Sequence, residues 1–157
     1  MLADEITRTI LDTLMRGGRT TWKDLSQRLG LSAPAVAERV RHLEDAGTIR
    51  GYAALVNPSA VGCSLTAFVQ VTLAAPSYRA EFQELVARLD EVQECHHIAG
   101  EHDYVLKVRC AGTEDLDRVV SNEIKGCHGV ARTHTTVVLR TVKESTFVPL
   151  AHLPGLG

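Results

Sequence analysis

No stretch of this chain approaches the roughly 20 consecutive apolar residues that a membrane-spanning helix requires, although 45% of its 157 residues are hydrophobic. That content is ordinary for a globular protein, and a helical membrane protein is excluded. The charged N-terminus does not read as a secretory signal, so the expected compartment is the cytoplasm. The four cysteines, Cys63, Cys95, Cys110 and Cys127, lack the paired spacing of a disulfide framework and are expected to be free thiols in a reducing environment. Repeats and low-complexity tracts are absent. So is any large charge imbalance: 17 basic and 19 acidic residues leave a net −2, with +1 over residues 1–50 and −3 over 51–157. Such a chain is poorly equipped to hold a polyanion as a monomer. If it binds nucleic acid, it does so as an oligomer presenting several modules. The length suits one domain or two small ones, and a half-length core is marginal alone, which also favours assembly.

What the chain does have is concentrated in residues 21–51, TWKDLSQRLGLSAPAVAERVRHLEDAGTIRG. Trp22, Leu25 and Leu29 recur on one face of a short helix, residues 30–32 break it, and Val36, Val40 and Leu43 recur at i, i+4, i+7 on a second. This is helix-turn-helix spacing. Thr21 and Asp24 form a variant capping box, and Gly30 suits the left-handed residue after a helix end. Ser32 is placed to cap the next helix, whose first turn accepts Pro34 because the amide it lacks would be unpaired there. Gly47 ends that helix.

At about 100° per residue, the face opposite the apolar seam carries Pro34, Ala35, Glu38, Arg41 and His42, with Arg39 at its edge. A helix in the DNA major groove reads bases with its first turns and meets phosphates at its flanks. The candidate DNA contacts are therefore Ser32, Ala35, Glu38, Arg39, Arg41 and His42. Glu38 suits a cytosine amino group, Ala35 a thymine methyl, and Arg39 or Arg41 phosphate or guanine. Spacing alone fits equally a helical hairpin whose charges form a solvated face.

Three runs go further: LDTLMRGGRTTWKDLSQRLGLSAPAVAERVRHLEDAGTIRGYAALVNPSAVG, then VQECHHIAGEHDYVLKV, then GVARTHTTVVLRTVK. In this order, and over nearly the whole chain, they resemble the Lrp/AsnC, or feast/famine, family of transcription regulators. The resemblance implies a DNA-binding regulator whose second domain makes a homodimer. It also implies dimers assembling into octamers, with small molecules, usually amino acids, bound between dimers.

The remaining sequence is read in that light. Ile6, Ile10, Leu11 and Leu14 predict a first helix over residues 4–16, closed by Gly17 and Gly18. Residues 48–55 read as a strand, and Asn57-Pro58 as a turn and hinge. From Leu65 the period becomes 2: Leu65, Ala67, Val69, Val71 and Leu73 alternate with Thr66, Phe68, Gln70 and Thr72. Pro76 and Ser77 open a helix carrying Phe82, Leu85, Val86 and Leu89. Strands follow over 92–98 and 104–110. Thr113 is read as the cap of another helix, with Glu114 and Asp115 in its first turn where the helix dipole favours acids, and a long last strand runs over 130–142. The predicted class is α+β, a winged or three-helix helix-turn-helix domain followed by a βαββαβ ferredoxin-like (RAM) domain. Predicted boundaries are 1–50 for the DNA-binding domain, 51–63 for the linker, 64–143 for the second domain and 144–157 for an apolar tail containing Pro149 and Pro154. One sheet face lies under both helices. The other, with Phe68, Gln70 and either His134, Thr136 and Val138 or their alternates, reads as apolar enough to pack against a second sheet.

Residues 99–104, AGEHDY, resemble the family's Gly-x-x-Asp turn. A free amino acid brings an ammonium that needs acceptors and a carboxylate that needs donors. Asp103 suits the first and backbone N–H groups around Gly100 the second. The candidate effector residues are Gly100, Glu101, His102, Asp103, Thr133 and Thr135. The competing reading is a tight hairpin in which Gly100 supplies the turn and Asp103 caps it.

A metal site has the ligand types available in Cys95, His96, His97, His102, Cys127 and His128. Adjacent strand residues face opposite ways, however, so His96 and His97 do not serve one ion, and no metal or other cofactor is expected beyond the effector. Some siroheme decarboxylases share the two-domain pattern, with His96, His97 or His134 as acid or base. No nucleophile is paired with a base, and the expectation is a regulator without catalytic residues. Its expected partners are double-stranded DNA, an amino acid and copies of itself, with no membrane.

Overall fold

The helix-turn-helix forms where local chemistry demands it. In the computed structural model, which describes residues 5–151, helix α1 spans Glu5–Arg16, α2 Trp22–Leu29 and α3 Ala33–Asp45. Thr21 accepts the Asp24 N–H while Asp24 reaches back to the Thr21 N–H, the full capping box. Gly30 takes φ 65°, Ser32 accepts the Ala35 N–H at the start of α3, and Gly47, at φ 68°, turns the chain out of it. Ile10 and Leu11 from α1, Leu25 from α2, and Val36, Val40 and Leu43 from α3 form one buried core. The Arg28 guanidinium donates to the Thr13 hydroxyl at 3.1 Å, tying α2 to α1. Trp22 does not join the seam. Sitting at the first residue of α2, it is 40% exposed.

Residues 48–55 are not a strand. Ile49 turns back toward the helices, its N–H bonded to the Leu43 carbonyl at 3.0 Å, and the Tyr52 hydroxyl donates to Glu44 at 2.8 Å. A strand exists through a paired neighbour; among the described residues this segment has none, and Leu55 stands 82% exposed.

The second unit, Val56–Val142, is built on strands β1 (Leu65–Leu73), β2 (Val92–His97), β3 (Tyr104–Cys110) and β4 (Val130–Val137). Helix α4 (Arg79–Arg88) follows a turn of 3-10 helix at Pro76–Tyr78, and α5 (Thr113–Asp117) runs on as a π-helix, Arg118–Ile124. The antiparallel sheet has order β2-β3-β1-β4. Ala67, Val69, Val71 and Leu73 of β1 and Tyr104, Leu106, Val108 and Cys110 of β3 bury one face against Phe82 of α4 and Leu116, Val119, Val120 and Ile124 of the second helix. The π-helix places adjacent Val119 and Val120 both in that core.

Three local expectations change. Thr113 does not cap α5; Gly112 holds that position, and the Asp115 carboxylate instead accepts the Ala111 N–H at 3.1 Å. The last strand stops at Val137 because its single neighbour, β1, runs out: the Val138 N–H meets the Thr66 carbonyl, after which Leu139 and Val142 are 98% and 87% exposed. The uncovered sheet face is also more polar than read. The register sets Lys107 opposite Phe68, Arg109 opposite Thr66, and His134 and Thr136 opposite Gln70 and Phe68. Lys107 pairs with Glu94 at 3.0 Å and Arg109 donates to Gln93 at 2.6 Å, so Phe68 sits in a charged surround.

Candidate DNA-reading helix and effector turn

On α3, Val36, Val40 and Leu43 face the core, which turns Glu38, Arg41 and His42 outward. These three are one network. Both Glu38 oxygens accept from Arg41 Nη2, at 2.7 and 2.5 Å, and Oε1 lies 3.0 Å from His42 Nε2. The Arg41 hydrogen bond holds the Glu38 carboxyl below the usual carboxylate range, and Glu38 in turn raises Arg41. A lone carboxylate on a surface facing phosphates is repelled; here its charge is met by the guanidinium one turn away. Ser32 lies at the helix start with its oxygen committed to the Ala35 N–H at 3.4 Å. Ala35 and Arg39 are half-buried at the flanks of the outward stripe.

In the second unit the turn between β2 and β3 is fastened to β1. The Asp103 N–H donates to the Val71 carbonyl at 2.9 Å, its carbonyl accepts the Ile98 N–H at 2.9 Å, and one carboxylate oxygen accepts the Leu73 N–H at 2.8 Å. Asp103 therefore has a structural duty on its backbone side. Gly100 does not: it lies outside the left-handed region, and a Cβ built there meets nothing within 4 Å. The turn itself gives no reason for a glycine.

The turn's other side chains reach the uncovered sheet face. Glu101 pairs with Arg132 at 3.0 Å, His102 Nδ1 lies 3.0 Å from the Thr72 hydroxyl, and the His102 and His134 rings stack at 6.4 Å with 14° between planes. Opposed strand residues share a face. Thr133 opposes Val71 and Thr135 opposes Val69, so both belong to the helix-covered side and are not brought together with His102. The residues that do join the turn, Thr72, Arg132 and His134, are the alternates along β4 and the end of β1; period-2 alternation put them on one face, and only the register chose which.

The metal-type residues disperse. His96 opposes Val105 on the uncovered face, while the His97 ring lies 5.1 Å from that of Tyr104 on the core side, tilted by 46°. His128 meets the edge of Tyr78 at 4.8 Å. Among the described residues no three of His, Cys, Asp or Glu converge for an ion. All four cysteines are free thiols, Cys110 buried and the others half-buried. No helix among the described residues is long and apolar enough to cross a membrane.

Comparison with known proteins matches both units. Residues 66–148 match the Lrp/AsnC ligand binding domain and residues 4–50 a winged helix-turn-helix DNA-binding domain. Leucine-responsive regulatory proteins from Escherichia coli K12 and Klebsiella pneumoniae are each 41% identical over 144 residues, 90% of this chain and 88% of theirs. A transcriptional regulator from Neisseria meningitidis, solved as its L-Met complex, superposes with a TM-score of 0.92 at 35% identity over 97% of this chain and 99% of that one. A feast or famine regulatory protein from M. tuberculosis complexed with L-methionine gives 0.85 at 38% identity, over 92% and 97%.

Proposed function

Because the chain belongs to the Lrp/AsnC family of DNA-binding transcription regulators, which have a ligand-binding domain and are not enzymes, we propose a specific division of labour for its residues. The chain acts in the cytoplasm as a homodimer assembling into an octamer or similar oligomer. Several copies of α3 then meet double-stranded DNA together, which compensates for a DNA-binding half of net charge only +1. Ser32, Ala35, Glu38, Arg39, Arg41 and His42 make the contact, with Arg41 and His42 presented on the Glu38 carboxylate.

The effector is a free amino acid, held at the turn before β3. The observation that carries this is Gly100, a glycine without a backbone reason in open space, since a missing side chain lets a ligand approach the main chain. Backbone N–H groups of the turn and Arg132 suit the ligand carboxylate; Glu101 and the second oxygen of Asp103 suit its ammonium. His102, His134 and Thr72 line the same face. Thr133 and Thr135 lie on the other and are less suited. The bound complexes of the two relatives, both with L-methionine, support the ligand class. To regulate, the amino acid must bind one assembly or domain geometry better than another.

The test is a thermal-shift screen against the twenty amino acids, with oligomer mass measured on every hit and DNA fragments of the source genome selected on the protein with and without it. A stabilising amino acid that alters the selected set supports the reading. Absence of any retained DNA overturns it.

A further inference from the structure

The tail beyond β4 has no part in either site, yet it is docked. The Ser145 hydroxyl accepts the Phe147 N–H at 3.1 Å, a local turn that sets the direction of the next residues. The Phe147 ring, half-buried, lies 4.6 Å from the Arg16 guanidinium carbon, and Arg16 is itself held by both Asp12 oxygens at 3.0 Å. The Val148 N–H donates to the Met15 sulfur at 3.5 Å. Leu150 packs against the core shared by α1, α2 and α3. A cleft of about 620 Å³ remains between α1 residues and Phe147, Pro149 and Leu150, so the tail lies over α1 without being embedded in it.

The DNA-binding unit is thus made from both ends of the chain, residues 5–55 with 143–151. It is covalently joined to the ligand-binding domain twice, through the segment before β1 and through the segment after β4. The second connection leaves from the strand that carries Arg132 and His134 and arrives on α1, whose Ile10 and Leu11 share a core with Val36, Val40 and Leu43 of α3. We propose that residues 138–150 are a strap by which the effector-binding strand β4 acts on α1, and through the common core on the DNA-reading helix. This rests on the function proposed above and names its route. Eight residues, 139–146, join the last bond of the ladder, from the Val138 N–H to the Thr66 carbonyl, to the docked Phe147, and Leu139 and Val142 among them are exposed. A short connection transmits displacement that a slack one absorbs.

The test uses the full chain in three forms: wild type, a variant with four Gly/Ser residues inserted between Arg140 and Thr141, and Phe147→Ala/Leu150→Ala. Each is titrated onto a duplex selected by wild type, with and without L-methionine. The wild-type response is expected to be about fivefold or more. The insertion is expected to retain the L-methionine thermal shift and the ligand-free DNA affinity while the response falls below about twofold. Full retention of the response overturns the strap. Docking is read separately through Trp22, the single tryptophan of the chain: the Phe147→Ala/Leu150→Ala protein should show an earlier Trp22 unfolding transition, and an unmoved one overturns the docking. A wild type that binds the duplex but ignores L-methionine removes this effector, and the strap with it; one that binds no duplex overturns the underlying reading.

Discussion

Arg41 Nη2 donates to both oxygens of Glu38, at 2.7 and 2.5 Å, across one turn of the outward face of α3. In water a pair this exposed contributes little to stability. Its consequence is for what the helix shows to DNA. Arg41→Ala removes the guanidinium that meets the Glu38 charge and leaves only His42 beside it, and should weaken binding to a selected duplex about tenfold and reduce the salt slope by about 1. Glu38→Ala should instead raise affinity for mixed-sequence duplex and blunt discrimination. Anisotropy titrations at several salt concentrations decide it; an Arg41→Ala protein with unchanged slope places this face away from DNA. Arg39→Ala should also weaken binding, with the oligomer mass by light scattering unchanged.

Asp103 is expected to separate into two roles. Asp103→Ala strands the Leu73 N–H, a loss of about 1–3 kcal/mol, and should lower the melting temperature without any ligand. Asp103→Asn keeps an acceptor for that N–H but loses the charge, so its melting temperature should hold while the amino-acid shift shrinks. If Asn retains the full shift, the carboxylate does not meet the ammonium.

Two glycines should behave oppositely. Gly129 has φ 87°, and a Cβ there would sit 2.1 Å from Tyr78 Cγ, in a ring already braced by His128 at 4.8 Å. Gly129→Ala should cost about 2 kcal/mol or more. Gly100→Ala should change stability by less than about 0.5 kcal/mol yet diminish the ligand shift. Urea unfolding and the thermal-shift assay read both; a destabilised Gly100→Ala would restore the turn explanation for that residue.

Stability should fall at alkaline pH. Burial, together with the nearby charges of Asp115 and Glu91, pushes the Cys110 thiol from 9.0 up to about 11, and desolvation with the Glu44 hydrogen bond pushes Tyr52 from 10.0 up to about 12. Raised values mean that the folded state holds these protons more tightly. The stabilisation is therefore complete below the unfolded values and is lost as pH rises, for Cys110 between about 9 and 11 and for Tyr52 between about 10 and 12. Tyr52 is half exposed, so the buried thiol should dominate. Cys110→Ala should flatten the decline measured by urea midpoints above about pH 9; an equal decline removes the thiol as its source.

Much of the fold was legible because it rests on neighbours in sequence. The Thr21–Asp24 box, the Gly30 and Gly47 ends and the Ser32 cap each involve residues at most five positions apart, the alternation from Leu65 to Leu73 repeats every two, and chemistry at that range acts before any tertiary contact forms. The strand expected over 48–55 and the overlong β4 failed for the complementary reason. Strand propensity marks a segment able to pair, and whether it pairs depends on a partner elsewhere in the chain.

The candidate sites divide the same way. Helical period alone turned Glu38, Arg41 and His42 to one side of α3, and the turn at Gly100 was visible as a motif. Period 2 left two phases open for β4, and only its register with β1 put Arg132 and His134, rather than Thr133 and Thr135, beside His102. By itself, then, the sequence determined the helices, the caps of α2 and α3, the order of strands and the family. Tertiary structure alone decided which face each strand residue takes, that Asp103 serves the Leu73 amide, and that Phe147 returns 131 positions to lie under Arg16. Contacts between such distant residues are chosen by the packing of the whole unit, and no local pattern encodes that choice.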